Sequence, residues 1–173
     1  MITKKTNEQL NKQVQLEGQS SHVYLAMAGW ADEQGYSGIS KFLYHHSDEE
    51  RLHMLKLFHF IIERGGKAAV PDLKVTGKSY SSVQQIFESV LEHEVFVTGE
   101  INKLVDHCLK EKDYTTHNFL QWYVTEQLEE ERLARNILDK LKLIGTDKGG
   151  MYLFDRDLQS LAAAESKGGN GGE

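Results

Sequence analysis

The chain has 173 residues, 39% of them hydrophobic and 27% charged, which suits one folded domain of ordinary size and excludes a chain disordered throughout. No apolar run approaches the roughly 20 residues of a membrane-spanning helix, so no membrane partner is expected. Lys and Arg number 20 against 26 Asp and Glu, a net charge of −6; this argues against nucleic acid as a partner and makes metal cations the more natural one.

Met1-Ile2-Thr3-Lys4-Lys5 is basic with no apolar stretch behind it, so no secretory signal is read and the cytoplasm is the expected location. Thr6-Asn7-Glu8-Gln9 has capping-box spacing and opens a helical segment that runs to about Gln34, where Gly35, Ser37 and Gly38 interrupt it. A second segment runs from about Ile39 to Arg64 and stops at Gly65-Gly66. After a stretch containing the one proline, Pro71, a third begins near Ser81-Ser82-Val83-Gln84-Gln85 and reaches about Lys110. It carries the single cysteine, Cys108, which excludes intrachain disulfides and sites needing several thiolates. A fourth segment begins after Asp113 and ends at Gly145. Met151 to Ala164 reads as a short fifth helix, closing one domain over residues 1–165, and residues 166–173 form a Gly-rich tail expected to be disordered.

Steps of three and four residues trace the inward seam of each long helix. The first gives Leu10, Val14, Glu17, Ser21, Tyr24, Ala28 and Ala31; the second gives Ile39, Leu43, His46, Glu50, His53, Leu57 and Phe60. The third gives Val83, Phe87, Val90, Glu94, Val97, Ile101, Leu104 and Cys108, and the fourth Leu120, Tyr123, Gln127, Glu130, Ala134, Ile137, Leu141 and Ile144. Every seam is mostly apolar, and every one is broken near its middle by a carboxylate.

Short joints make the first and second helices, and the third and fourth, antiparallel hairpins. The link from Gly65 to Tyr80 is long enough, at about 3.3 Å per extended residue, to run the length of a helix of about 40 Å and make the second and third helices parallel. The expected fold is all-α, a four-helix bundle with one long crossover and a short fifth helix. Counting from turns centred near Ser37 and Lys112 puts Glu94 and Glu130 at one level, with Glu17 and His53 about 6 Å apart in height. Glu17, Glu50, His53, Glu94 and Glu130 can then meet in one cluster.

Four carboxylates in an apolar seam cannot simply be buried as anions, because each costs several kcal/mol to desolvate and they repel one another. Raised pKa values, pairing with Arg or Lys, or a bound cation could compensate, and no seam contains an Arg or Lys. Four carboxylates and an imidazole suit two divalent ions of the hard-to-borderline kind, such as iron or manganese.

The single acids Glu17 and Glu94, the run Glu49-Glu50-x-x-His53, the stretch from Asn118 to Glu130 that includes Glu126, Gln127 and Glu129, and Gly150-x-Tyr152-x-x-Asp155 resemble bacterial non-haem ferritin. The likeness covers about residues 5 to 162 of the chain. Ferritin-like carboxylate proteins take one Glu from each of two helices and Glu-x-x-His from each of the other two; here Gln127-x-x-Glu130 stands in for the second Glu-x-x-His. The resemblance implies a first iron site of Glu17, Glu50 and His53, and a second of Glu50, Glu94 and Glu130, with Glu50 bridging. It implies a third iron site at Glu49, Glu126 and Glu129 with Glu130 shared, Gln127 beside the second iron, and Tyr24 as hydrogen-bond partner or electron donor. The implied activity is oxidation of Fe(II) by O2 or H2O2 and storage of the Fe(III) oxide in a homo-oligomeric shell of 24 chains. A non-catalytic metal-binding scaffold, or a di-metal oxidase acting on an organic substrate, would use the same cluster.

Haem is not expected, because Arg51 holds the position at which bacterioferritin carries its haem-ligating methionine. A single cysteine cannot supply the paired CxxC motifs of rubrerythrin. Val97 stands where an HExxH motif begun at His93-Glu94 would need its second histidine. The other histidines, His46 among them, and Trp122 and Tyr123 read as packing or surface residues.

Overall fold

A computed structural model describes residues 1–73 and 79–168. Those residues form five helices, α1 (Lys4–Glu33), α2 (Ser37–Glu63), α3 (Val83–Lys110), α4 (Tyr114–Ile144) and α5 (Lys148–Gly168), and none is long and apolar enough to cross a membrane. The expected all-α bundle is the observed one, with three adjustments at helix ends.

Helix α1 begins before the expected capping box. Thr3 Oγ1 accepts from the Thr6 amide at 3.1 Å, so Thr3 is the cap, and Thr6 is buried against α3 with its hydroxyl 3.1 Å from His107 Nε2. Helix α5 is longer than Met151 to Ala164 at both ends. The Asp147 carboxylate accepts from the amides of Gly149 and Gly150, starting the helix ahead of the glycine pair, and Ala162-Ala163-Ala164 favours its continuation. Residues 166–168, expected in the disordered tail, are therefore helical; residues 169–173 lie outside the described residues.

Side-chain bonds define the helix directions. Ser21 pairs with Ser47 and the Ile2 amide with the Arg64 carbonyl, so α1 and α2 run antiparallel. Thr6 meets His107, Ser20 meets His93 and Tyr24 meets Glu94, which makes α1 antiparallel to α3 and α2 parallel to α3. The long crossover thus spans the bundle as expected. Its first part is fastened to α1 by carboxamides one turn apart: Asn7 and Asn11 bond the backbone of Lys67 and Ala69, and Gln15 donates to the Asp72 carbonyl. The turn between α3 and α4 centres on Lys112, whose φ of 56° is left-handed backbone that an L-residue adopts at some cost.

Every seam residue named from the sequence is buried except Ile144, which is partly so. Gln13, Ser20, Met27, Phe42, Ser47, Ile61 and Ile86 are buried beside the seams, because a helix in a globular bundle covers a wider stripe than a strict three-four seam. The apolar side chains form two clusters. One holds Tyr24, Phe42, Phe87, Ile137 and, from α5, Phe154 and Leu158; the other holds Leu10, Val14, Leu57, Ile101, Leu120 and Tyr123. The residues that separate them along each seam are the polar ones.

Helix α5 packs on α2 through an unusually close contact. A Cβ built on Gly38 would fall 1.8 Å from the Asp155 carbonyl oxygen, so glycine is required there. The Asp155 carboxylate also accepts from the amides of Gly38 and Ile39 at 2.8 to 3.1 Å. Tyr36, the residue before α2, makes no side-chain cap; α5 supplies it instead.

Candidate metal centre

Between the two apolar clusters α1 contributes Glu17, α2 Glu50 and His53, α3 Glu94, and α4 Gln127 and Glu130, all buried. Glu50 and His53 lie one turn apart on the same face of α2, with Glu50 Oε2 3.5 Å from His53 Nδ1. Glu17, Glu50 and His53 each bring one ligand atom to within 4.8 Å of the others, the set expected for the first ion. Gln13 Nε2 donates to Glu17 Oε1 at 2.7 Å. Glu50 Oε2 is buried with no hydrogen-bond partner, an open acceptor turned toward the same space. The Tyr123 hydroxyl donates to the His53 carbonyl at 2.7 Å, and the edge-on ring of Trp122, 5.1 Å away, walls the imidazole.

Glu94 is held from two sides. The Tyr24 hydroxyl donates to Oε1 at 2.7 Å, and Gln127 Nε2 donates to Oε2 at 3.1 Å and to the Glu94 carbonyl at 3.2 Å. Glu130 shares the layer, with Oε2 3.8 Å from His46 Nδ1 and its charge acting on Glu50 and Tyr24. The residues expected around the second ion are thus in one layer, Glu94 bonded by Tyr24 and Gln127, and Glu130 beside His46.

Glu49, Glu126, Glu129 and Glu130 line an open cleft of about 360 Å³ between α2 and α4. His46, Glu49 and Glu130 form a second set whose ligand atoms lie within 4.8 Å of one another. Glu126 and Glu129 share the cleft wall and lie outside that set. His46 was read from the sequence as a packing residue. The signal that could have found it is its place on the α2 seam three residues before Glu49, the spacing that also joins Glu50 to His53.

Burial, and then the neighbouring Glu50 charge, push the Glu17 carboxyl well above the usual carboxylate range. Burial, and then Glu94, do the same to Glu50. Burial raises Glu49 and Glu126 as well. Burial, followed by the charge of Glu94, raises the Tyr24 phenol, which therefore stays a donor. His46 is pushed down to about 3 by burial and then by His45 and His53, so its imidazole is neutral. Arg64 pairs with Asp113 and Arg135 with Glu131, while Arg132 lines the cleft with Glu126 and Glu129, and the Lys56 charge opposes the rise of Glu126. Oxygen donors with imidazole nitrogens suit a hard-to-borderline divalent ion that displaces protons as it binds.

A family model of the ferritin-like domain matches residues 7–144, the span of α1 to α4. The chain is 44% identical over 162 residues to a probable bacterial non-heme ferritin-like protein of Haemophilus influenzae, covering 94% of this chain and 98% of the relative. It is 40% identical over 167 residues to a bacterial non-heme ferritin of Campylobacter jejuni, covering 96% and 100%. An open-pore ferritin of the archaeon Archaeoglobus fulgidus superposes with a TM-score of 0.90 at 42% identity, covering 91% of this chain and 96% of that one. Agreement that runs nearly end to end in sequence and in backbone makes the chain a member of the ferritin family.

Proposed function

We propose that the protein takes up Fe(II), oxidises it with O2 or H2O2, and stores the Fe(III) product inside a hollow shell of 24 identical chains. The observation that carries this reading is the buried set of Glu17, Glu50 and His53, with carboxyls pushed up by burial and an unpartnered Glu50 oxygen among them. Relatives named bacterial non-heme ferritin support iron as the ion. Iron is substrate and cargo here.

In this reading one Fe(II) occupies Glu17, Glu50 and His53, and a second occupies Glu50, Glu94 and Glu130, with Glu50 shared. Binding releases the protons that burial keeps on Glu17 and Glu50. Tyr24 and Gln127 orient Glu94 through the bonds already described. The two ions give up one electron each, reducing O2 to H2O2 or H2O2 to water, and leave as Fe(III). Gln127 in place of an imidazole weakens the ligand field at one position and favours onward passage of the product. Glu49, Glu126 and Glu129 with Glu130 give a third position in the cleft. Arg51 after Glu50 is consistent with a centre that uses no haem.

Glu50→Ala and His53→Ala test the assignment. Even supporting residues of metal sites carry about 10–100-fold, so each substitution is expected to slow iron-dependent oxygen consumption by at least about tenfold. Unchanged consumption in both variants would overturn the site.

A further inference from the structure

We infer that Gln13 is a positioning residue for the first ion: its carboxamide holds one oxygen of Glu17 so that the ion is met by the other, which makes Glu17 a one-oxygen ligand and sets the position against large cations such as Ca2+. The inference rests on the iron reading, in that Glu17, Glu50 and His53 must bind an ion for Gln13 to act on it.

Three observations carry it. Gln13 is buried on α1 beside Leu10 and Val14, and its Nε2 donates to Glu17 Oε1 at 2.7 Å. A buried carboxamide costs free energy unless it is bonded, and here the bond goes to a candidate metal ligand. Residues four apart are neighbours on a helix, so α1 itself sets the geometry of this pair. Secondly, Glu17 and Glu50 share a side-chain hydrogen bond, and the Glu50 side is the side of the ion, since Glu17, Glu50 and His53 bring ligand atoms within 4.8 Å of one another. Glu17 is thus held by its own helix on one side and turned to the ion on the other. Thirdly, donors are unevenly shared among the acids. Tyr24 and Gln127 bond both oxygens of Glu94, Gln13 bonds Oε1 of Glu17, and Glu50 Oε2 has no partner. This leaves Glu50 free to bridge two ions and Glu17 to bind one end-on.

When an ion replaces the proton shared by Glu17 and Glu50, Glu17 becomes an anion and the Gln13 bond becomes charge-assisted, roughly twice as strong as a neutral one. Gln13 therefore contributes more to the loaded centre than to the empty one. Ca2+ takes about six to eight oxygens and often both from one carboxylate, whereas Zn2+, Co2+ and Fe2+ accept imidazole. Occupying Glu17 Oε1 costs the larger ion more.

The test uses metal-free, full-length protein under argon with Zn2+, Ca2+ and Co2+. Anomalous diffraction locates Zn2+, competitive calorimetry gives its affinity, and visible absorption of Co2+, which weakens as donors are added, reports coordination. Gln13→Met matches the length of the side chain without its donor. It is expected to weaken Zn2+ at Glu17, Glu50 and His53 by about 10–100-fold, to narrow the preference for Zn2+ over Ca2+, and to weaken the Co2+ bands, while the ion at Glu94 and Glu130 is kept. Gln13→Leu, with a different shape and no donor, should shift preference and spectrum the same way. Parent affinity in both variants would overturn the inference, and so would a proportional loss of Zn2+ and Ca2+ with an unchanged Co2+ spectrum, which would make Gln13 a packing residue. A parent protein with no Zn2+ at Glu17, Glu50 and His53 would sink the first iron site, and the inference with it.

Discussion

Glu17 and Glu50 keep protons that exposed carboxyls release, and the consequence can be measured as stability. Both carboxyls titrate above their ordinary value of 4.5 in the fold, so above pH 4.5 the unfolded chain gains by ionising what the folded chain holds protonated. Stability of the metal-free protein contributed by these groups is intact below that value and declines as pH rises through the raised ones. Thermal melts of metal-free protein are expected to fall from pH 5 to pH 8, with Zn2+ reversing the fall and Glu50→Gln flattening it. A Glu50→Gln profile as steep as that of the parent would contradict the assignment. Tyr24→Phe removes the donor to Glu94 Oε1 and is expected to cost about 1 kcal/mol in denaturant unfolding. It should also weaken the second of two metal equivalents while sparing the first, because Glu17, Glu50 and His53 do not touch the phenol in that bond.

At the scale of the helices, periodicity made the buried faces legible: the three-four step found nearly every seam residue, and connection lengths implied the crossover that the side-chain pairings show. What periodicity could not reveal were contacts between distant parts of the chain. Asp155 serves α2 rather than its own helix, and no local pattern around Tyr36 marks that cap. The carboxamides of Asn7, Asn11 and Gln15 read as an exposed polar face until the crossover backbone is laid on them. His46 resembled any seam residue until Glu130 arrived from α4. Asp155→Ala removes two helix N-terminal bonds and a favourable dipole interaction, an expected loss of about 0.5–2 kcal/mol. Gly38→Ala should do more, because the new methyl meets α5 backbone rather than a movable side chain. Hydrogen exchange in α5 is expected to accelerate in both variants, and more in Gly38→Ala. Unchanged protection would show that α5 is held by Phe154 and Leu158 alone.

Across the whole molecule, two apolar clusters flank a layer of acids that on its own weakens the fold, and in the proposed reading a bound cation offsets that layer. In a shell of 24 chains the −6 of each would sum to about −144, a field that concentrates cations near the wall and is screened by salt. Iron uptake is therefore expected to slow as ionic strength rises, while the number of ions bound at saturation stays the same. The most direct test of the central claim is an anaerobic Fe(II) titration of the metal-free protein, followed by admission of oxygen. Saturation at about two or three ions per chain, with oxidation faster than in buffer alone, is the expected result. Absence of saturable binding, or binding with no acceleration of oxidation, would contradict it.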